Sequence, residues 1–377
     1  MADIQFIDLD SQKKYLGQSL ENAIIKVLNH KKFINGPEVL EFEKLLAKFS
    51  NSTEAVTCGS GTDALLLPLM AMGVGQGDAI FVPSFTFVAT AEVVSLLKAT
   101  PIFVDVERST FNIDPNSLRD AIIFSKKIGL KPKVIIPVDL FGQPACYEDI
   151  NQIAEEFSIR VISDAAQSFG AQQSDNPVGC LTHVTSTSFF PSKPLGCYGD
   201  GGAITTNDSD LAETLRSLKS HGAGKNKYDN VNIGVNSRLD TLQAAILIEK
   251  INILKEEIIK RNSVARKYTE ELKDYVSTPI IKDKNVSAWA QYTIVLDDRS
   301  NLSEFLKDRG VPSVVYYPKP LHLQSAYSSF PRFPEKLTVS EDLAKSVLSL
   351  PMHPYLSSDN QSFITENIIQ FIKERKS

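Results

Sequence analysis

The chain has 377 residues, 42% of them hydrophobic, and a net charge of −5 from 40 basic and 45 acidic side chains spread without long blocks. That length supports one large domain or two unequal ones, and the mild acidity argues against nucleic acid as a partner. The four cysteines (Cys58, Cys146, Cys180, Cys197) form no CxxC pair, the five histidines lack an HExxH, and no apolar run reaches membrane-spanning length. A disulfide framework, a metal centre and a membrane partner are therefore not expected. With no secretory leader in "MADIQFIDLDSQKK", the expectation is a cytoplasmic enzyme.

Leu16, Leu20, Ile24, Val27 and Leu28 recur at helical spacing. A second helix is expected from Pro37, with Val39, Phe42, Leu45, Leu46 and Phe49 on one face. From there strands and helices alternate: "EAVTCG" with "TDALLLPLMAM", "AIFVP" with "TAEVVSLLKA", "PIFVDV" with "PNSLRDAI", "KVIIPVDL" with "YEDINQIAEEF", then "RVISDAA". Continuous apolar strands alternating with helices predict an α/β fold whose mostly parallel sheet is covered on both faces. "VTSTSFF" and "GAITTN" read as two further strands of that sheet. A long helix is expected over 237–275, with Leu239, Leu242, Ala245, Ile246 and Leu247 inward. Beyond it come strand-like "QYTIVLD", a helix "NLSEFLKDRG", strand-like "PSVVYY", a Pro-rich loop and a last helix near 360–375. This change of rhythm predicts a large domain, residues 1–250, and a smaller C-terminal α+β domain, residues 251–377.

Ligands bind beyond the carboxyl ends of parallel strands, which selects "CGSGTDA", "PSFTFVAT", "DLFGQPA", "SDAAQSFG" and "SFFPSKPLG". Gly59, Ser60, Gly61 and Thr62 lie where a strand turns into a helix. They form either an anion cradle suited to phosphate or an ordinary tight turn capped by Thr62. Neither GxGxxG nor GxxxxGK[ST] is matched, which argues against dinucleotides and P-loop nucleotides, and the absence of YxxxK argues further against a sugar dehydrogenase or epimerase. Asp164 ends its apolar strand as a helix cap or a functional charge; Gln167 follows one turn on. In "FFPSKPLGCYGDGGA", Lys193 stands between two prolines, and four glycines follow within 196–202. A lysine that forms a covalent bond at a fixed point needs such a frame; a surface lysine in a proline-bounded loop is the alternative.

The ordered series "GSGTDAL", "PSFTFVATA", "FVDV", "SDAAQSFGA", "SFFPSKPLGCYGDGGA" and "GVNSRLDTLQAAIL" resembles the DegT/DnrJ/EryC1/StrS family of nucleotide-sugar aminotransferases, from about residue 5 to "SLPMHPYL" near 350. The resemblance implies a pyridoxal 5′-phosphate enzyme of the aspartate aminotransferase-like fold (fold type I). It implies that Lys193 is the Schiff-base lysine, that Asp164 partners the ring nitrogen and that Gln167 lies near the ring hydroxyl. Gly61, Thr62 and Ser188 would bind the phosphate, Phe87 would stack on the ring, and Asn236 would reach the phosphate of the other subunit in a homodimer with shared sites. Asn35, Gly36, Arg238, Tyr317 and His322 match positions facing the nucleotide sugar. Some members dehydrate sugars and carry histidine where this sequence keeps lysine, so amination is expected. The intact set of Lys193, Asp164, Gln167 and Ser188 argues against a non-catalytic sensor, and a decarboxylase remains the other pyridoxal-phosphate outcome. The runs around Lys193 and Asn236 are most similar to the branch that aminates UDP-2-acetamido-2-deoxy-3-oxo-D-glucuronate with L-glutamate, for bacterial surface polysaccharide (O-antigen). A UDP- or dTDP-linked 4-keto-6-deoxy or 3-keto-6-deoxy sugar is the alternative substrate.

Overall fold

A computed structural model describes residues 4–226 and 228–376. The first helical run is split into α1 (Leu9–Leu16) and α2 (Gln18–His30) by Gly17, whose φ of 56° no helix interior accommodates. Helix α3 (Pro37–Phe49) starts on its proline, where the missing N–H costs nothing, and buries Val39, Phe42 and Leu46. The alternation then runs β1 (Glu54–Cys58), α4 (Gly61–Ala71), β2 (Asp78–Pro83), α5 (Ala89–Leu96), β3 (Thr100–Val104), α6 (Pro115–Lys127), β4 (Lys131–Ile135), α7 (Tyr147–Phe157) and β5 (Arg160–Asp164). Two-residue strands β6 (Gln172–Gln173) and β7 (Asn176–Pro177) precede β8 (Val184–Ser188), β9 (Gly202–Thr206) and α8 (Ser209–Leu218). The remainder is α9 (Thr241–Leu272), β10 (Asn285–Val286), β11 (Tyr292–Val295), α10 (Arg299–Asp308), α11 (Thr338–Ser346), β12 (Val347–Leu350) and α12 (Ser358–Lys376).

The main sheet has seven strands in the order β1-β9-β8-β5-β4-β2-β3. Strands β8, β5, β4, β2 and β3 are parallel to one another, while β9 is antiparallel to both β1 and β8. Successive residues face opposite sides: in β2, Ile80 and Val82 pack with Val93 and Val94 of α5, whereas Ala79 and Phe81 pack with Leu118 and Ile122 of α6. Both faces are dry, which is why these strands read as unbroken apolar runs. At the sheet's β1 edge, Lys219 and Glu43 form a buried ion pair at 3.2 Å. The lysine also donates to the Thr57 carbonyl at 2.7 Å, and Glu43 accepts from both the N–H and hydroxyl of Thr57. This pair fastens α3 and β1 to the residue from which the 220–238 loop departs.

A second core gathers Val264, Tyr268, Leu272, Tyr292, Ile294, Leu302, Leu348 and Ile364. Helix α9 runs unbroken through residue 250, and the side chains of this second core begin on it at Val264. The stretch "PSVVYY" is not a strand. Val314 exchanges two hydrogen bonds with Ser349, an isolated bridge bounded by the donor-less Pro312 and Pro318. The partner of β11 is instead β12, whose Val347, Leu348 and Leu350 are fully buried. Among the described residues, no helix is long and apolar enough to cross a membrane.

Between the second core and the N-terminal segment, His353 is buried, and burial pushes its imidazole down to about 4; Asp8 opposes the shift and Arg261 adds to it. The unfolded chain therefore binds a proton that the folded chain refuses between pH 6.5 and 4, so stability falls as pH falls through that window. Replacing His353→Leu should flatten the fall by roughly 3 kcal/mol at most, read as the difference between wild-type and variant urea midpoints at pH 4.5 and 7. Parallel pH profiles would refute the assignment.

Candidate active site

The turn after β1 makes the first wall. Ser60 caps α4, its hydroxyl accepting from the Asp63 N–H at 3.1 Å, so the cap is Ser60 rather than Thr62. The N–H groups of Gly61 and Thr62, at the first two helical positions, have no hydrogen-bond acceptor among the described residues, as suits an anion. A Cβ on Gly61 would lie 2.5 Å from Cβ of Ser188, and one on Gly202 would lie 2.2 Å from the Ser60 carbonyl oxygen. The bare backbone thus lets the end of β8 and the start of β9 close against the α4 N-terminus, forming a cradle of N–H groups with the Ser188 hydroxyl at its edge. Ser237 fastens the 220–238 loop to the same turn: its hydroxyl accepts from the Gly59 N–H at 3.0 Å and donates to Asp63 at 2.9 Å. Its neighbour Asn236 is exposed, and its side chain makes no hydrogen bond among the described residues.

The second wall is the end of β5. Asp164 is buried; Oδ2 accepts from the Thr90 hydroxyl at 2.9 Å and Oδ1 from the Ala166 N–H at 3.2 Å, which leaves acceptor capacity for one more donor. Burial raises its carboxyl above the usual range, opposed by the Ala166 and Thr90 hydrogen bonds and by the charge of Lys193. Gln167 is oriented from both ends, its Oε1 accepting from the Phe141 N–H at 2.6 Å and its Nε2 donating to the Tyr317 hydroxyl at 3.4 Å. Behind both stands Asp139, fully buried, accepting from Ala145 N–H (2.8 Å) and from the hydroxyls of Tyr147 (2.7 Å) and Ser168 (2.6 Å).

Lys193 closes the constellation. Its N–H donates to the Phe190 carbonyl at 2.9 Å, and its amine makes no hydrogen bond or ion pair among the described residues. Burial lowers the amine below its ordinary value, while the nearby Asp164 opposes the shift, so the amine loses its proton more easily than an exposed lysine does. Phe87 lies at the mouth, 55% exposed, its ring 6.3 Å from that of Tyr317 and otherwise open.

The residues matched to a nucleotide sugar are placed less uniformly. Arg238 is partly buried and forms no ion pair among the described residues, and Asn35 is exposed at φ 51°. Gly36 has a packing reason of its own: a Cβ would sit 2.5 Å from the Lys32 carbonyl oxygen and 2.6 Å from Thr241, whose hydroxyl accepts the Gly36 N–H. Tyr317 reaches the site through Gln167 and through edge contact with Phe85. His322 is 1% exposed, with Nδ1 2.5 Å from the Ser84 hydroxyl and Nε2 3.4 Å from Glu341; it braces the loop after β2 against α11 and has no free nitrogen to offer. Thr90, Asp139, Ser168 and Ser237 are contributors that the sequence reading did not single out. For Asp139 the signal existed, a carboxylate just past a strand end. An open recess of about 670 Å³, lined by Arg160, His183 and Asp208 among others, lies at the opposite ends of the strands and contains none of these residues.

Replacing Thr90→Val keeps the shape but removes a donor from a buried carboxylate. The expected loss is roughly 1–3 kcal/mol in urea unfolding at pH 8. The deficit should shrink towards pH 4, where a protonated Asp164 needs the donor less. A pH-independent deficit would refute the claim that Thr90 supports the charged form.

The chain matches the DegT/DnrJ/EryC1/StrS aminotransferase family over residues 14–369. It is 48% identical over 356 residues, 94% of this chain and 96% of the relative, to the UDP-2-acetamido-2-deoxy-3-oxo-D-glucuronate aminotransferase of Pseudomonas aeruginosa. Among solved structures, a DegT DnrJ EryC1 StrS aminotransferase from Brucella abortus superimposes with a TM-score of 0.97 at 51% identity, covering 98% of this chain and 99% of that one. NtdA from Bacillus subtilis, solved with bound cofactor PMP, gives 0.86 at 30% identity, covering 98% and 83%. The α/β architecture with its mostly parallel sheet is thus that of the fold type I transferases, and the chain belongs to the DegT/DnrJ/EryC1/StrS aminotransferase family.

Proposed function

We propose that this protein transfers the amino group of L-glutamate to UDP-2-acetamido-2-deoxy-3-oxo-D-glucuronate, giving the 3-amino sugar and 2-oxoglutarate. At the coarser level the protein is a pyridoxal-phosphate-dependent aminotransferase acting on a keto nucleotide sugar. The observation that carries the finer reading is the likeness, over nearly the full length of both chains, to the Pseudomonas enzyme named for that substrate. A partly buried Arg238 without an ion pair among the described residues supports it, since a guanidinium fork matches the carboxylate of a uronate or of glutamate.

The residues fit the cofactor. When bound, pyridoxal phosphate supplies an aldehyde that captures amines and an electron-poor ring that stabilises negative charge on the adjoining carbon. The N–H groups of Gly61 and Thr62, with the Ser188 hydroxyl, would bind its phosphate in the glycine cradle. Asp164 would hold a proton at the ring nitrogen, and its burial would strengthen that charge-assisted bond. Gln167 is aimed by Phe141 and Tyr317 towards the ring hydroxyl, and Phe87 offers an open ring face for stacking. Lys193 is the covalent anchor. With the cofactor bound, its Nζ would take the proton from the α-carbon of glutamate and, in the second half-reaction, would deliver one to the sugar carbon that receives nitrogen. Burial lowers the basicity of this amine, which eases the loss of the proton it must shed before it can act as a base.

The test offers the enzyme the 3-oxo uronate and a 4-keto-6-deoxy nucleotide sugar side by side, with glutamate. The uronate should be preferred by about tenfold or more in kcat/KM, and Lys193→Ala should turn over neither. Comparable or faster amination of the 4-keto sugar would overturn the substrate; normal turnover by the variant would overturn the lysine.

A homodimer with shared sites belongs to the same proposal. It is supported by the exposed Asn236 on a loop whose Val231 and Ile233 are 61% and 92% exposed, and by the exposure of Phe33 and Ile34. Mixing inactive Lys193→Ala with inactive Asn236→Ala should restore activity through hybrid dimers, in which one site receives both native residues. No recovery after subunit exchange, demonstrated with differently tagged chains, would place Asn236 in the site of its own chain.

A further inference from the structure

Two polar side chains of α9 reach the segment that carries Lys193. Lys250 is 2% exposed; its Nζ donates to the Gly196 carbonyl at 2.7 Å and lies 4.1 Å from the centroid of the Tyr198 ring. Gln243 stands seven residues earlier, two turns along the same helix face. It brackets one residue of the loop, Oε1 accepting from the Tyr198 N–H at 2.8 Å and Nε2 donating to the Tyr198 carbonyl at 3.2 Å.

Gly196 in turn bears directly on the lysine turn. A Cβ there would lie 2.5 Å from the Pro191 carbonyl oxygen and 2.8 Å from that of Phe190, and the Phe190 oxygen accepts the Lys193 N–H. The contacts therefore run from the Lys250 ammonium through Gly196 to the Phe190 carbonyl that holds the Lys193 N–H. The ends of the loop are secured separately, where Phe189 donates to Gly201 and Cys197 to Phe189. Burying an amine without a carboxylate partner is unfavourable, and burial does lower Lys250 to about 8, with Glu257 opposing. An apolar chain of equal length would fill the same space without that cost. What it would lose is the bond to Gly196.

We propose that Lys250 and Gln243 are positioning residues for Lys193, a clamp on residues 196–198 that fixes where the lysine amine stands. The proposal rests on the reading of Lys193 as the cofactor lysine. Its test separates the two. In cofactor-free protein, Lys250→Met and Gln243→Leu should each speed amide exchange of residues 189–201 by about tenfold or more, the former losing one hydrogen bond and the latter two, while exchange elsewhere is unchanged. In the loaded enzyme, both should shift the pH midpoint of the cofactor's visible absorbance and lower kcat, with KM for glutamate and for the sugar held within about twofold. Unchanged exchange in 189–201, or acceleration spread through the whole chain, would overturn the clamp. If Lys250→Met fails to fold, Gln243→Leu decides by the same measurements. Normal turnover by Lys193→Ala would remove the role of the lysine, yet the exchange data would still decide whether the clamp exists.

Discussion

The site depends on one vertex, where Ser188 pairs with Gly202 across β8 and β9. Strand β9 returns antiparallel beside β8, so the chain leaves the sheet and re-enters it at neighbouring points, and residues 189–201 must form a closed loop over the strand ends. The missing side chains of Gly61 and Gly202 allow the turn after β1 to press into the same corner. Had either carried a Cβ, the cradle and the lysine loop would be pushed apart. Everything else, from Asp164 on β5 to Phe87 beyond β2, is brought to this corner by the parallel order of the remaining strands.

Around the vertex, charge is kept where water is scarce. Asp164, Asp139, Lys193 and Lys250 are all desolvated, and in each case burial is the largest influence, raising the carboxyls and lowering the amines. Three donors converge on Asp139, which burial pushes up to about 7. Such an arrangement stabilises little on its own account. Its benefit is geometrical, because donors and acceptors that cannot turn to solvent must point at one another. Asp139 therefore joins the loop after β4 to the turn after β5, the turn that carries Gln167.

Much of this was legible in the sequence, for identifiable reasons. Two-sided burial makes a strand such as 79–82 a continuous apolar run, and the strand ends then pointed to Gly61, Asp164 and Lys193. Thr90 and Ser168 were invisible, because a hydroxyl's partner is decided by what packing brings near it. Gly36 and His322 matched a pattern, yet their surroundings in the fold are a helix start and a pair of internal hydrogen bonds. "PSVVYY" has the composition of a strand but lacks donors at both flanks, and β12 takes the place beside β11 instead. Residue 250, where the sequence rhythm changes, lies in the middle of a helix, and the second core begins on that helix only at Val264, a feature that periodicity alone does not reveal.

That helix has a mechanical meaning. At a rise of about 1.5 Å per residue, the 32 residues of α9 span roughly 48 Å. Its first half is packed into the core beneath the lysine loop, and its second half lies in the C-terminal core, where Arg261 donates to the carbonyls of Trp289 and Met352. A stiff rod anchored at both ends transmits torque. Any rocking of the C-terminal core must either bend the rod or turn its near end, where Gln243 and Lys250 hold the segment next to Lys193. A displacement of one core is thereby carried along the helix to the loop that rests on the other.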